Sequence, residues 1–87
     1  MIFRQLFDQV SSSYTYVLAC ESTGEAIIID PVFEQHRRDT ALLRELNLKV
    51  KYSVDTHVHA DHVTGSWLMR ETFGAQVALS SEAGADN

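Results

Sequence analysis

The stretch Ala26-Ile27-Ile28-Ile29-Asp30-Pro31 constrains this chain more than any other. Three successive isoleucines, preceded by the turn-forming Glu21-Ser22-Thr23-Gly24-Glu25 and stopped by Asp-Pro, predict a short strand. Because apolar side chains fall on both of its faces, the strand is expected to have a covering layer on each side. Upstream, Tyr14 to Cys20 is aromatic and β-branched, so the two segments predict a hairpin. Ile2 to Phe7 partly alternates, as in a strand with one solvated face, and Asp8 to Ser13 reads as a polar connection.

Between Glu34 and Leu46 the pattern changes. Ala41, Leu42, Leu43 and Leu46 fall at helical spacing, with Arg37, Arg38, Asp39, Arg44 and Glu45 on the other face. Asn47 ends that helix, and Val50 to Val54 forms another strand, stopped at Asp55-Thr56. From Val63, the residues Trp67, Leu68, Met69 and Phe73 predict a second helix with Gly74 as its C-terminal cap, and Ala75 to Leu79 a further strand. The order of two or three strands, then helix, strand, helix, strand, predicts a layered α/β protein and implies a parallel sheet. No repeat or linker divides the chain, so residues 1–87 read as one domain or part of one. Ser80 to Asn87 carries no core-forming pattern and follows a strand that needs a neighbour, so the chain reads as cut short after Asn87.

Twelve acidic residues against seven basic ones, with no basic stripe, argue against a nucleic-acid partner. No apolar stretch approaches the roughly 20 residues that span a bilayer, so no membrane partner is expected. The single Cys20 excludes an internal disulfide, and no leader pattern opens the sequence; a cytoplasmic location is the resulting expectation.

The chemistry concentrates in His57-Val58-His59-Ala60-Asp61-His62, which holds three of the four histidines. It lies directly after a predicted strand and before a predicted helix, the place where open α/β sheets bind ligands. Imidazole nitrogen and carboxylate oxygen are the usual ligands of zinc and non-haem iron, and His57 and His59, two residues apart, can share a direction. Asp61 and His62 can face the same cavity or a second metal. The plainer alternative is a polar loop of surface histidines, with Asp61 capping the helix that follows.

Thr56-His57-Val58-His59-Ala60-Asp61-His62 resembles the HxHxDH signature of the metallo-β-lactamase fold. The continuation Val63-Thr64-Gly65-Ser66 resembles the persulfide dioxygenase branch of that superfamily. Phe3 to Phe7, Ser13 to Leu18 and Glu25 to Val32 also look like segments of that branch, in the same order. The resemblance covers nearly the whole chain. It implies the N-terminal half of an αββα sandwich, two sheets between helices, in which this α/β half is a mixed sheet with flanking helices, and a metal site built by loops from both halves.

In that branch the resemblance implies one Fe(II) held by two histidines and an aspartate, with His57 at the first histidine position and the other two ligands beyond Asn87. His59, Asp61 and His62 would then orient ligands or water around the iron, Asp61 and His62 being the candidate catalytic groups. In the hydrolase branches the same four residues coordinate two Zn(II) ions directly. The implied reaction is oxidation of glutathione persulfide by O₂ to sulfite and glutathione. The runner-up is a glyoxalase-II-like binuclear zinc thioester hydrolase, against which stand Ala60 and Val63-Thr64-Gly65, where that family's pattern differs. A third expectation concerns the isolated 87-residue chain, which would be an inactive fragment or half of a complex. A homodimer stays open.

Among other residues, Cys20 is expected to be a buried small apolar side chain, and His36 a solvated one. Trp67 and Phe73 are expected in the core of the second helix. Asp30 is either a turn carboxylate or, on the family pattern, a structural acceptor beneath the histidine stretch.

Overall fold

A computed structural model describes residues 1–56 and 64–79. Five strands form one sheet in the order β1 (Ile2–Asp8), β2 (Ser13–Ala19), β3 (Glu25–Ile29), β4 (Lys49–Asp55) and β5 (Gln76–Leu79). The first three pair antiparallel, and β3, β4 and β5 pair parallel, so the sheet is mixed, as the resemblance implies, and the parallel pairing expected from the element order is confined to β3, β4 and β5. The change of direction follows from the connections. Short polar turns join β1 to β2 and β2 to β3, while helices α1 (His36–Glu45) and α2 (Ser66–Phe73) carry the chain back for the parallel pairings. The predicted start of the second helix at Val63 lies outside the described residues, as do Ser80 to Asn87.

Asn47 does end α1, through a specific geometry. It takes a left-handed conformation, φ 59°, while its N–H donates to the Arg44 carbonyl and the Leu48 N–H donates to the Leu43 carbonyl. These two bonds make a Schellman motif, and they bring Leu48 into the core beside Leu43. Gly74 closes α2 in the same left-handed region, φ 71°.

The core lies between the sheet and its helices. Val17 and Ala19 of β2, Ala26 and Ile28 of β3, and Val50 of β4 meet Leu43 of α1 and Met69 of α2. Among the described residues no helix or strand covers the opposite face of the sheet. Phe3, Phe7, Tyr14, Ile27 and Tyr52 are all exposed there, and the rings of Phe7 and Tyr14, paired across β1 and β2, stand 5.0 Å apart. The expected coverage of β3 on both faces is therefore met on one only: Ile28 is fully buried, while Ile27 is 38% exposed.

Four other expectations are corrected. Cys20 is exposed, because β2 stops at Ala19 and the thiol falls in the turn beside Ser22. Asp39 is fully buried, on the inner side of α1, where Arg38 reaches across to it at 3.0 Å. His36 is half-buried, its Nε2 within hydrogen-bond distance of Thr72 and Thr40, so it ties α1 to α2. Trp67 is 48% exposed and stacks on Phe33 instead of entering the core.

Candidate metal centre

Parallel pairing of β3 and β4 sets their C-terminal ends side by side, Ile29 opposite Val54, and the histidine stretch leaves from the second of these ends. His57, His59, Asp61 and His62 themselves lie outside the described residues. The residues that flank them are described on both sides.

On the entering side the anchor is Asp30. It adopts a left-handed conformation, φ 54°, and its N–H donates to the Val54 carbonyl at 2.8 Å. This turns its carboxylate toward Thr56. Oδ1 accepts the Thr56 N–H at 2.7 Å, and Oδ2 accepts the Thr56 hydroxyl. Thr15, buried in β2, donates its hydroxyl to the Asp30 carbonyl at 2.8 Å. Asp30 is thus the structural acceptor of the residue immediately before His57, the role anticipated for it.

On the leaving side, Thr64 forms an antiparallel bridge with Val32, and the Gly65 N–H donates to the Pro31 carbonyl at 2.8 Å. Asp55, buried at the end of β4, accepts the Thr64 hydroxyl at 3.1 Å and the Ser66 hydroxyl at 2.8 Å on Oδ1. A serine hydroxyl has one proton. Since Ser66 gives its proton to Asp55, the 2.8 Å contact between Ser53 and Ser66 is a donation from Ser53. The Thr64 oxygen in turn accepts the Ser66 N–H at 2.8 Å. The links run from 2.8 to 3.1 Å, and Ser53 and Ser66 are buried, so the network is satisfied in a low-dielectric setting.

Sequence reasoning missed Asp55, Ser53 and Ser66. The available signal was strand parity: Ser53 and Asp55 alternate on β4 with a buried pattern, two polar side chains on the helix-facing side that had to find partners.

Among the described residues no group of three or more His, Cys, Asp or Glu side chains could hold a metal. The donor set of residues 57 to 62, three imidazoles and a carboxylate, fits zinc or iron by its chemistry, and it is the candidate this chain offers.

The family model of the metallo-beta-lactamase superfamily matches residues 8–86. The chain belongs to this superfamily. Over 86 residues it is 45% identical to the mitochondrial persulfide dioxygenase ETHE1 of Homo sapiens, an alignment covering 98% of this chain and 34% of that protein. The crystal structure of ETHE1 from Myxococcus xanthus superimposes with a TM-score of 0.83 at 53% identity, covering 88% of this chain and 34% of that one. A hydroxyacylglutathione hydrolase from Polaromonas sp. is 32% identical over 72 residues, covering 83% of this chain and 27% of the hydrolase. The metallo-β-lactamase assignment is borne out, and the resemblance to the persulfide dioxygenase branch reappears as similarity to the ETHE1 proteins. The chain spans about a third of the length of the persulfide dioxygenases it matches.

Proposed function

We propose that this chain is the N-terminal part of a persulfide dioxygenase, which oxidises glutathione persulfide with O₂ to sulfite and glutathione. The observation that carries this is the 45% identity to a persulfide dioxygenase across 98% of the chain, the histidine stretch included, against 32% to the hydroxyacylglutathione hydrolase. In the overall reaction the persulfide S–S bond breaks; glutathione persulfide, O₂ and water give glutathione, sulfite and two protons. Fe(II), when bound, would supply open coordination positions and redox chemistry for the two substrates.

On this reading His57 is an iron ligand, and His59, Asp61 and His62 orient ligands and move protons beside it. Asp30 holds the backbone entering the stretch. The bare sheet face fits a domain that continues past residue 87: Phe3, Phe7, Tyr14, Ile27 and Tyr52 would pack against the second sheet of the αββα sandwich. The 87-residue chain alone would then lack metal ligands and be inactive. Among the described residues no helix is long and apolar enough to cross a membrane. A cytoplasmic location belongs to the same proposal and is tested by fractionation against the mitochondrial location in the human relative's name.

Elemental analysis of the full-length protein, with oxygen uptake on glutathione persulfide, tests the proposal. About one iron per chain and persulfide-dependent oxygen uptake are expected. Two zincs per chain with thioester hydrolysis would replace it with the glyoxalase-II-like reading, in which all four motif residues bind metal.

A further inference from the structure

We propose that Asp55 is a positioning residue of the metal site, which holds the entry and exit of the histidine stretch at one strand end without itself binding metal. The inference rests on the metal-site assignment of residues 57–62. Three observations carry it.

First, Asp55 is joined through one peptide bond to Thr56, the residue that enters the stretch, and its carboxylate holds Thr64, the residue that leaves it. One residue therefore meets both ends of the seven-residue segment 57–63, its backbone leading into the entry and its side chain holding the exit. Second, its hydrogen bonds are already committed within the fold. Oδ1 accepts the Ser66 hydroxyl, and the single proton of the Thr64 hydroxyl faces Oδ1 at 3.1 Å and Oδ2 at 3.3 Å, so the carboxylate is held against Thr64 and Ser66. Third, the anchor is itself backed. Ser66 opens α2, and Ser53 donates to it from the neighbouring position of the buried face of β4, so the clamp is braced on a strand and a helix.

Asp30 acts at the other end: its carboxylate holds Thr56, and the residues after it meet the exit through the Val32 bridge to Thr64 and the Gly65 to Pro31 bond, both backbone contacts. Asp55 adds a side-chain tie at Thr64. Holding the ends of a ligand-bearing segment lowers the ordering cost of metal binding, because the closure entropy is already met by the fold. Removing a group bonded directly to a metal ligand typically costs roughly 10–100-fold in metal affinity, which sets the scale for a support acting through the backbone beside the ligands.

The test uses the full-length protein loaded with Co(II), whose visible d–d absorption reports the ligand geometry and whose release to a chelator reports retention. Asp55→Ala is expected to release cobalt roughly 10–100-fold faster than wild type and to shift the d–d band. Asp55→Asn is expected to restore most of the retention, since its amide oxygen still accepts from Ser66 and its NH₂ can donate to the Thr64 oxygen. Thr64→Val, close to isosteric, should reproduce the loss, and Thr64→Ser should reverse it; this pair decides the matter if Asp55→Ala does not fold. A purely structural role would lower the urea midpoint while leaving the band of the folded protein unchanged, and that result overturns the inference. Wild-type release rates in Asp55→Ala and Thr64→Val overturn it too, with the metal-site assignment intact. A wild-type protein that binds no cobalt overturns both.

Discussion

Gly65 donates its N–H to the Pro31 carbonyl at 2.8 Å in a gap where a β-carbon would lie 3.2 Å from the Pro31 Cβ, the Pro31 oxygen and the Val32 oxygen. Its φ of −82° is open to any residue, so the need for glycine here is steric. Two of the three crowding atoms are backbone, which cannot rotate away. Gly65→Ala is expected to push the Thr64 and Val32 bridge apart and to destabilise the full-length protein by about 1–3 kcal/mol. Urea denaturation measures it; an unchanged midpoint would mean that the two segments have slack.

Asp30 makes a second prediction, because its conformation and its carboxylate can be separated by mutation. Asp30→Gly keeps the left-handed backbone and loses the bonds to Thr56; Asp30→Ala loses those bonds and adds strain of about 1–2 kcal/mol at φ 54°. Asp30→Asn can keep the bond from the Thr56 N–H, can replace the other by donating its NH₂ to the Thr56 hydroxyl oxygen, and tolerates the conformation. The expected order of stability is wild type, then Asn, Gly and Ala, with the Asn to Gly step about 1.5–3 kcal/mol for the lost hydrogen bonds. Denaturant midpoints of the four proteins give the order directly. Equal midpoints for Gly and Ala would show that the left-handed conformation at Asp30 carries no cost.

How far the fold was legible can be judged from particular residues. The turn at Glu21 to Glu25, the helix end at Asn47 and the cap at Gly74 were readable because each is a local event, decided by residues adjacent in sequence. The histidine stretch was readable because its donors are consecutive. Asp55 was not, since a carboxylate beside a threonine looks like a strand stop; its partners Thr64 and Ser66 lie nine and eleven residues on. Asp39 and Trp67 were misplaced for a related reason. Helical spacing assigns charged residues outward and aromatic residues inward, but Asp39 is drawn inside beside Arg38, while Trp67 finds Phe33 at the surface. The isoleucine run was half right: it called for a layer on each face, and the described residues supply the layer on one.

Cys20 is the subject of a third prediction. Hydrogen bonds from the side chains of Ser22 and Thr23, then from their backbone groups, lower its thiol pKa from the ordinary 9.0 to about 6. The thiol is exposed, so a reagent can reach it. At neutral pH it should therefore be mostly thiolate, the reactive form. The rate of iodoacetamide alkylation, followed by mass spectrometry against pH, is expected to rise with a midpoint near pH 6, and Ser22→Ala should move that midpoint upward. A midpoint at the ordinary value would show that the turn does not hold its donors on the sulfur.

Asp8 and Asp39 should respond to pH in opposite directions, although Arg38 acts on both. At Asp8, the Gln35 side chain at 2.8 Å and the hydroxyl and N–H of Ser11 hold the carboxyl below its ordinary value of 3.8, with Arg38 assisting. At Asp39, burial dominates: it pushes the carboxyl above 3.8 despite the charge of Arg38 and its hydrogen bond at 3.0 Å, and Oδ2 has no partner. The linkage signs follow. Asp8, depressed in the fold, contributes stability that is present above its unfolded pKa and lost as pH falls through its lower folded value. Asp39, raised in the fold, contributes stability that is present below its unfolded pKa near 3.8 and lost as pH rises through its higher folded value. Urea midpoints of wild type, Asp8→Asn and Asp39→Asn between pH 3 and pH 8 separate the two. The stability advantage of wild type over Asp8→Asn should shrink below about pH 4, whereas its advantage over Asp39→Asn should shrink as pH rises above about 4. If the second difference instead grows with pH, Asp39 is ionised in the fold and its pairing with Arg38 outweighs the cost of burying it.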